Sequence, residues 1–291
     1  MTLIAYTEAS FKPSSLRVIE QANEIIAEYE AQGFALTLRQ LYYQFVARDL
    51  LANTLRNYKN LGEIINKGRM AGLVSWDAIE DRTRNLRSRS HWDTPRDIID
   101  AARRSYHIDL WANQPNRVEV WIEKDALVGV IERVCNRYDV PFFACRGYSS
   151  QSEQWRAGLR LQGHIDRGQT PIVLHLGDHD PSGVDMTRDN QDRLTLFAGE
   201  DIEVRRLALN IDQVRRYRPP PNPAKFTDSR AAGYIRAFGK SCWELDALDP
   251  SLIERLIEDE LNDIIDGDLW TERQSVLAAD QRQLNDLLAG L

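Results

Sequence analysis

The chain has no paired cysteines. Its 291 residues include three, Cys135, Cys145 and Cys242, odd in number, far apart and without a Cys-x-x-Cys spacing. That excludes a disulfide framework and a cysteine-rich zinc site, and it fits a reducing compartment. No apolar run approaches the roughly 20 residues that cross a bilayer, so no membrane segment is expected. The N-terminus carries no signal-peptide pattern, which makes the expected location cytoplasmic. Internal repeats and low-complexity tracts are missing as well. What remains is an ordinary globular composition, 43% hydrophobic and 28% charged, with enough chain for one large domain or two average ones.

The net charge of −7 at first argues against a nucleic-acid partner, but its distribution argues otherwise. From Thr37 to Tyr106 there are 13 Lys/Arg against 8 Asp/Glu, a local excess of 5 positive charges. From Glu244 to the end there are 13 acids against 3 bases, an excess of 10 negative charges. The acidity belongs to the tail, and the N-terminal third is basic.

Taken in order, residues 14–32 show a helical apolar period, with Gly33 as a stop. Thr37 stands three residues before Gln40, a capping-box spacing that starts a second helix running to about Leu50. Asn53 and Thr54 cap a third helix, Leu55 to about Met70, and Leu73 to Ile79 reads as a short strand. Three short helices, then a strand and a loop, suit a winged helix-turn-helix over residues 1–112. Its third helix carries Arg56, Lys59, Lys67 and Arg69. Arg82, Arg84, Arg87 and Arg89 follow almost without an acid, and Arg103-Arg104 adds to this face. A run of this kind is often only a solvated loop; behind a helix-turn-helix pattern, phosphate contact is the better expectation.

Within the second helix, Leu38, Leu41, Tyr42 and Phe45 form the core-facing stripe. Tyr43 lies about 100° round from Tyr42, four residues after Arg39 on one face. A phenol beside a guanidinium can serve as a nucleophile, its phenolate favoured by the positive charge. On periodicity alone Tyr43 reads rather as an amphipathic boundary residue.

From residue 113 the pattern alternates strand and helix, with strands at 118–122, 140–144, 172–176 and 202–207 and helices at 126–138 and 152–167. That gives an α/β unit with a Rossmann-like parallel sheet over 113–291, followed by acidic C-terminal helices. Glu123 follows the first strand, and Gly177-Asp178-His-Asp180-Pro-Ser-Gly183-Val-Asp185 follows the third. Asp178 and Asp180 are two apart, so in extended backbone they face one side. Both then lie with Glu123 at the carboxyl edge of the sheet, where such folds hold ligands and where an oxygen-rich cluster suits Mg²⁺, with Mn²⁺ as the alternative. For a lone Asp-x-Asp, a loop capping a helix at Asp185 is the plainer reading. Gly183 is expected to supply unusual backbone angles in the turn. His179 is left without a role, and Gly239-Lys-Ser lacks the upstream glycines of a P-loop.

Three segments together resemble one family. Thr37-Leu-Arg39-Gln-Leu-Tyr42-Tyr43 resembles the tyrosine motif of the A subunit of type IIB topoisomerase (topoisomerase VI) and of its meiotic break-forming relative. Val120-Trp-Ile-Glu123-Lys124-Asp125-Ala126-Leu127 resembles the glutamate motif of that family's Toprim domain, and residues 177–185 resemble its Asp-x-Asp-Pro-x-Gly motif. Glu244-Leu-Asp246-Ala-Leu248 is similar to a further family segment of less clear role. The resemblance spans roughly residues 34–250. It implies a DNA-cleaving enzyme: Tyr43 as nucleophile, Arg39 near the reacting phosphate, Glu123 as metal ligand or general acid–base, and Glu123, Asp178 and Asp180 around Mg²⁺. The products would be a 5′-phosphotyrosyl link and a free 3′-hydroxyl. Double-stranded DNA and a second copy of the chain are the implied partners, in a nucleoid-associated setting. The chain is shorter than usual A subunits and has no ATPase motif, so strand passage would require a separate ATPase subunit. Two alternatives stand beside this reading: a Toprim nuclease that uses metal-activated water, and a non-catalytic DNA-binding module.

Overall fold

The computed structural model describes residues 3–79, 91–223 and 230–289. The N-terminal part is built on α1 (Pro13–Ala31), α2 (Leu38–Ala47) and α3 (Leu55–Met70). The capping box of α2 forms as its spacing predicts. Thr37 Oγ1 accepts from the Gln40 N–H, and Gln40 Oε1 accepts from the Thr37 N–H. Ile19, Ile25, Ile26 and Tyr29 of α1 pack with Leu41, Tyr42 and Phe45 of α2 and with Leu61 and Ile65 of α3.

The expected strand at 73–79 is not formed. This stretch makes one single bridge, between Ile79 and Leu36, and just before it Ala71 bridges to Ala5. Val74 and Ala78 are buried in the helical core. Their apolar character therefore reflects packing against helices, where no neighbouring strand offers a ladder. Arg82, Arg84, Arg87 and Arg89 lie outside the described residues. Helix α4 (Pro95–Arg104) lies along the long C-terminal helix α11 (Gly267–Ala289).

The second part is a mixed α/β unit. Its strands are β1 (Asn116–Ile122), β2 (Phe142–Ala144), β3 (Thr170–Leu176) and β4 (Glu203–Ala208), all parallel in the order β2-β1-β3-β4. A short 3₁₀ turn, Asp125–Leu127, leads into α5 (Val128–Arg137); α6 (Gln151–Ile165) and α7 (Pro181–Ala198) complete the crossovers. After β4 come α8 (Ile211–Tyr217), the two-stranded ribbon of β5 (Asn222–Pro223) and β6 (Ser241–Cys242) with α9 (Ala231–Phe238) between them, a second 3₁₀ turn at Leu245–Ala247, and α10 (Pro250–Ile264).

Side chains alternate across the sheet as its pleat requires. Val118, Val120 and Ile122 of β1 and Ile172, Leu174 and Leu176 of β3 meet α5 and α10 on one face. Trp121 and Val173 meet α6 and α7 on the other. The result is three layers, helix–sheet–helix, with strands buried on both faces, as a parallel sheet demands. Among the described residues the first core ends at Ile79 and the second begins at Trp111, so the two cores divide between these positions. No helix of the described residues is long and apolar enough to cross a membrane.

Candidate functional site at the sheet edge

The strand order reverses between β1 and β3, because β1 leads out to β2 and the chain then crosses back to β3. Loops at the carboxyl ends of such a pair diverge and leave a crevice. Glu123 and Asp178 stand at its two lips. The Glu123 N–H donates to Leu176 O (2.8 Å), and the Asp178 N–H donates back to Glu123 Oε2 (2.8 Å). Gly177 is needed for this closeness: a Cβ there would sit 2.9 Å from Glu123 Oε2.

Asp180, not Asp185, caps α7. Its Oδ1 accepts from the Gly183 N–H (2.6 Å) and from the Ser182 hydroxyl (2.9 Å). Asp185 is held instead by Arg188, Arg230 and Tyr148. Gly183 is not in a left-handed conformation; its role is space, since a Cβ would lie 2.2 Å from Asp178 O. His179 turns away from the crevice. Its ring is buried among Tyr234, Phe238 and Trp243, with Nδ1 2.6 Å from the Tyr234 hydroxyl.

Asp178 is 7% exposed, and burial raises its carboxyl to about 7, with help from the charges of Glu123 and Asp246 and against the pull of Lys124. Burial likewise raises Glu123, to which the charge of Asp180 adds. Among the described residues no group of three His, Cys, Asp or Glu side chains is arranged to hold a metal ion. The donor chemistry nonetheless fits a hard cation. Each of the three carboxylates commits a single oxygen to the protein, and the like charges of Glu123 and Asp178 raise their own cost until a cation relieves it.

Two basic residues to which the sequence assigns no role support this edge. Lys124 Nζ lies 2.9 Å from Asp178 Oδ1, 2.8 Å from Glu244 Oε2 and 2.9 Å from Asp246 Oδ1. Burial alone would lower its pKa, but Asp246, Asp178 and Glu244 together raise it, so it stays charged. Arg206 of β4 is half-buried behind the loop, its guanidinium donating to the carbonyls of Gly177, Asp178, Gly183 and Leu209 and to Thr187 Oγ1. Burial brings it down to about 10. A strand arginine in an apolar run signals such a role only once the fold is known.

The segment after β6 joins the two halves of the molecule. His179 and Trp243 exchange backbone hydrogen bonds (2.8 and 3.0 Å), and the Leu245 N–H donates to Asp178 Oδ1 (2.8 Å). This sets Glu244 and Asp246 against α2, where Arg39 bonds Glu244 and its Nε lies 2.8 Å from Asp246 Oδ2. Arg39 thus faces carboxylates of its own chain.

Tyr43, a boundary residue by its position on the helix, is buried. Tyr43 and Tyr42 are 3% and 4% exposed. The face carrying Tyr43 is covered by the 244–246 turn and by Asn222, whose amide lies 3.5 Å from the Tyr43 hydroxyl. Nor does Arg39, 5.7 Å from the ring centroid, win the electrostatics. Burial first, then Asp246 and Glu244, push the phenol up to about 12. A cleft of about 330 Å³, lined by Arg39, Tyr43, Asn53, Asn222 and Glu244 among others, opens on this junction.

The expected DNA-facing residues divide. Arg56, Lys59 and Lys67 are exposed along α3. Arg69 is turned inward: it stacks over Trp76 (4.8 Å) and donates to Trp76 O and Ile79 O. Arg103 and Arg104 are both engaged by Asp100 on their own helix. No family model matches the chain, and no curated protein matches it.

Proposed function

We propose that the protein is a metal-dependent DNA-cleaving enzyme of the type IIB topoisomerase A kind, acting by tyrosine transesterification. The observation that carries this is the junction itself. One turn, residues 244–246, holds Tyr43 and Arg39 of α2 on one side and Lys124 and Asp178 of the sheet edge on the other. The segment that carries the nucleophile and the guanidinium is thereby joined to the carboxylate edge, which supports a reading in which the two serve one reaction.

In this reading the Tyr43 oxygen bonds to phosphorus, the bond from phosphorus to the 3′-oxygen breaks, and the phenol proton is lost as the 3′-oxygen gains one. Glu123, with its raised pKa, is the group suited to exchange that proton. Glu123, Asp178 and Asp180 would hold Mg²⁺ or Mn²⁺, which when bound supplies charge neutralisation at the transferring phosphate. Exposed Arg56, Lys59 and Lys67 supply phosphate contacts for the flanking duplex. One Tyr43 per chain cuts one strand, so a double-strand break takes two copies. Winged-helix and Toprim assignments for the two halves belong to this same proposal, as does any ATPase subunit.

A second reading, hydrolysis by water at the same acidic edge, is favoured by one observation: Tyr43 is buried and its phenol is pushed up to about 12. Supercoiled plasmid incubated with protein and Mg²⁺, then stopped with SDS with and without protease, separates the two. Transesterification predicts DNA retained on protein until protease is added, lost in both Tyr43→Phe and Asp178→Ala. Cutting that persists in Tyr43→Phe but fails in Asp178→Ala establishes hydrolysis. Duplex binding without any cleavage would leave a binding module.

A further inference from the structure

The cleft beside Tyr43 contains an anion-binding arrangement that is already filled by the chain's own carboxylate. Glu244 Oε2 accepts from Lys124 Nζ (2.8 Å) and from Arg39 Nη2, and Glu244 Oε1 accepts from Asn222 Nδ2 (3.1 Å). These three donors come from three separate segments: the loop after β1, helix α2 and the ribbon strand β5. Two are cationic and the third is an amide that also reaches the Tyr43 hydroxyl. Two cations and an amide converging on a pair of oxygens that share one negative charge is the donor set a phosphodiester requires.

The neighbouring Asp246 shows that Glu244 is not needed to join the halves. Asp246 lies beneath, its side chain 1% exposed, and it too spans Lys124 Nζ (2.9 Å) and Arg39 Nε (2.8 Å). The Glu244 side chain is 23% exposed and borders the cleft. Exchanging it for a phosphodiester swaps one negative charge for one negative charge, so Arg39 and Lys124 remain neutralised throughout.

We propose that Glu244 is an internal stand-in for a DNA backbone phosphodiester: it occupies a slot formed by Arg39, Lys124 and Asn222 beside Tyr43, and it withdraws when DNA enters. Only the identity of the anion rests on the DNA-cleavage reading. In the free protein the slot is closed by its own acid, and the same acid helps to keep Tyr43 protonated. DNA binding then opens the slot and puts a phosphodiester in the place of that carboxylate beside the phenol in one movement.

The test is fluorescence anisotropy of a labelled short DNA duplex in EDTA, where no metal-dependent cutting occurs, with inorganic phosphate as competitor and a melting curve for each variant. Glu244→Gln is expected to bind the duplex about tenfold more tightly than the unaltered protein, the gain expected of one freed charged contact. Glu244→Asp, which draws the carboxylate back by one methylene, is expected to move affinity the same way. Asp246→Asn removes an equal charge outside the cleft and should give no gain, and adding Arg39→Gln to Glu244→Gln should abolish it. Unchanged or weaker binding by Glu244→Gln, or an equal gain from Asp246→Asn, would overturn the proposal. Plasmid cleavage is scored separately: tighter binding without cleavage sinks the enzyme and keeps the slot, whereas cleavage without tighter binding does the reverse.

Discussion

Gly183 has no room for a side chain, because its Cβ would fall 2.2 Å from a backbone carbonyl that has nowhere to retreat. Gly183→Ala is therefore expected to cost about 1–3 kcal/mol, read as a lowered melting temperature, together with loss of plasmid cleavage, since the displaced carbonyl belongs to Asp178. Arg206 makes the same point for charge. Replacing it by Met strands the carbonyls of Gly177, Asp178 and Gly183, and a loss of at least about 3 kcal/mol is expected in urea unfolding. His175 gives the pH dependence. It is fully buried with Nδ1 against Thr187 Oγ1, faces the charge of Arg206, and burial with that charge lowers it from 6.5 to about 3. A histidine with a depressed folded pKa binds fewer protons than the unfolded chain between those values. Its share of stability is complete above pH 6.5 and is lost as pH falls toward 3. Unfolding measured from pH 7 to pH 4 should show that slope, flattened in His175→Asn. At this scale the sequence was legible in residue type and misleading in direction. Asp178, Asp180 and Glu123 do gather at one edge, but nothing in periodicity could say that Tyr43 would be covered by residues some 200 positions away, or that His179 would face the ribbon.

The helices were the most readable elements, for local reasons. The box of Thr37 and Gln40 and the cap at Thr54 are satisfied within four residues, so α2 and α3 start where the sequence places them. The stretch 73–79 was not readable, because a short apolar run specifies burial, whereas a strand also needs a partner. Helix α3 carries its own prediction. Arg56→Ala and Lys59→Ala should each weaken duplex binding for any DNA sequence and reduce the salt slope by about one, without changing the melting temperature. Arg69→Ala should do the opposite, lowering the melting temperature through its lost carbonyl contacts while leaving the salt slope alone.

Across the whole molecule the parallel sheet and its helix layers follow from strand–helix alternation, and the carboxyl-edge position of the acids follows from the sheet. The acidic tail was half legible. Its helix α10 buries Leu252, Ile253, Ile257 and Leu261 as an amphipathic helix should. Four of its acids, however, pair within the molecule, with Glu244 and Asp246 on Arg39 and Lys124, Glu254 on Arg133 and Glu260 on Arg205. A net count of charge per segment cannot reveal pairing between the first third of a chain and its last. That pairing also sets an order in time. The bond from Tyr29 to Asp249 closes over 220 positions and that from Arg39 to Glu244 over 205. A ribosome therefore releases the tyrosine early and the turn that houses it late. A chain interrupted before residue 244 carries Tyr43 with nothing to seat it beside the acids, so under the proposed reaction an unfinished copy would be inactive.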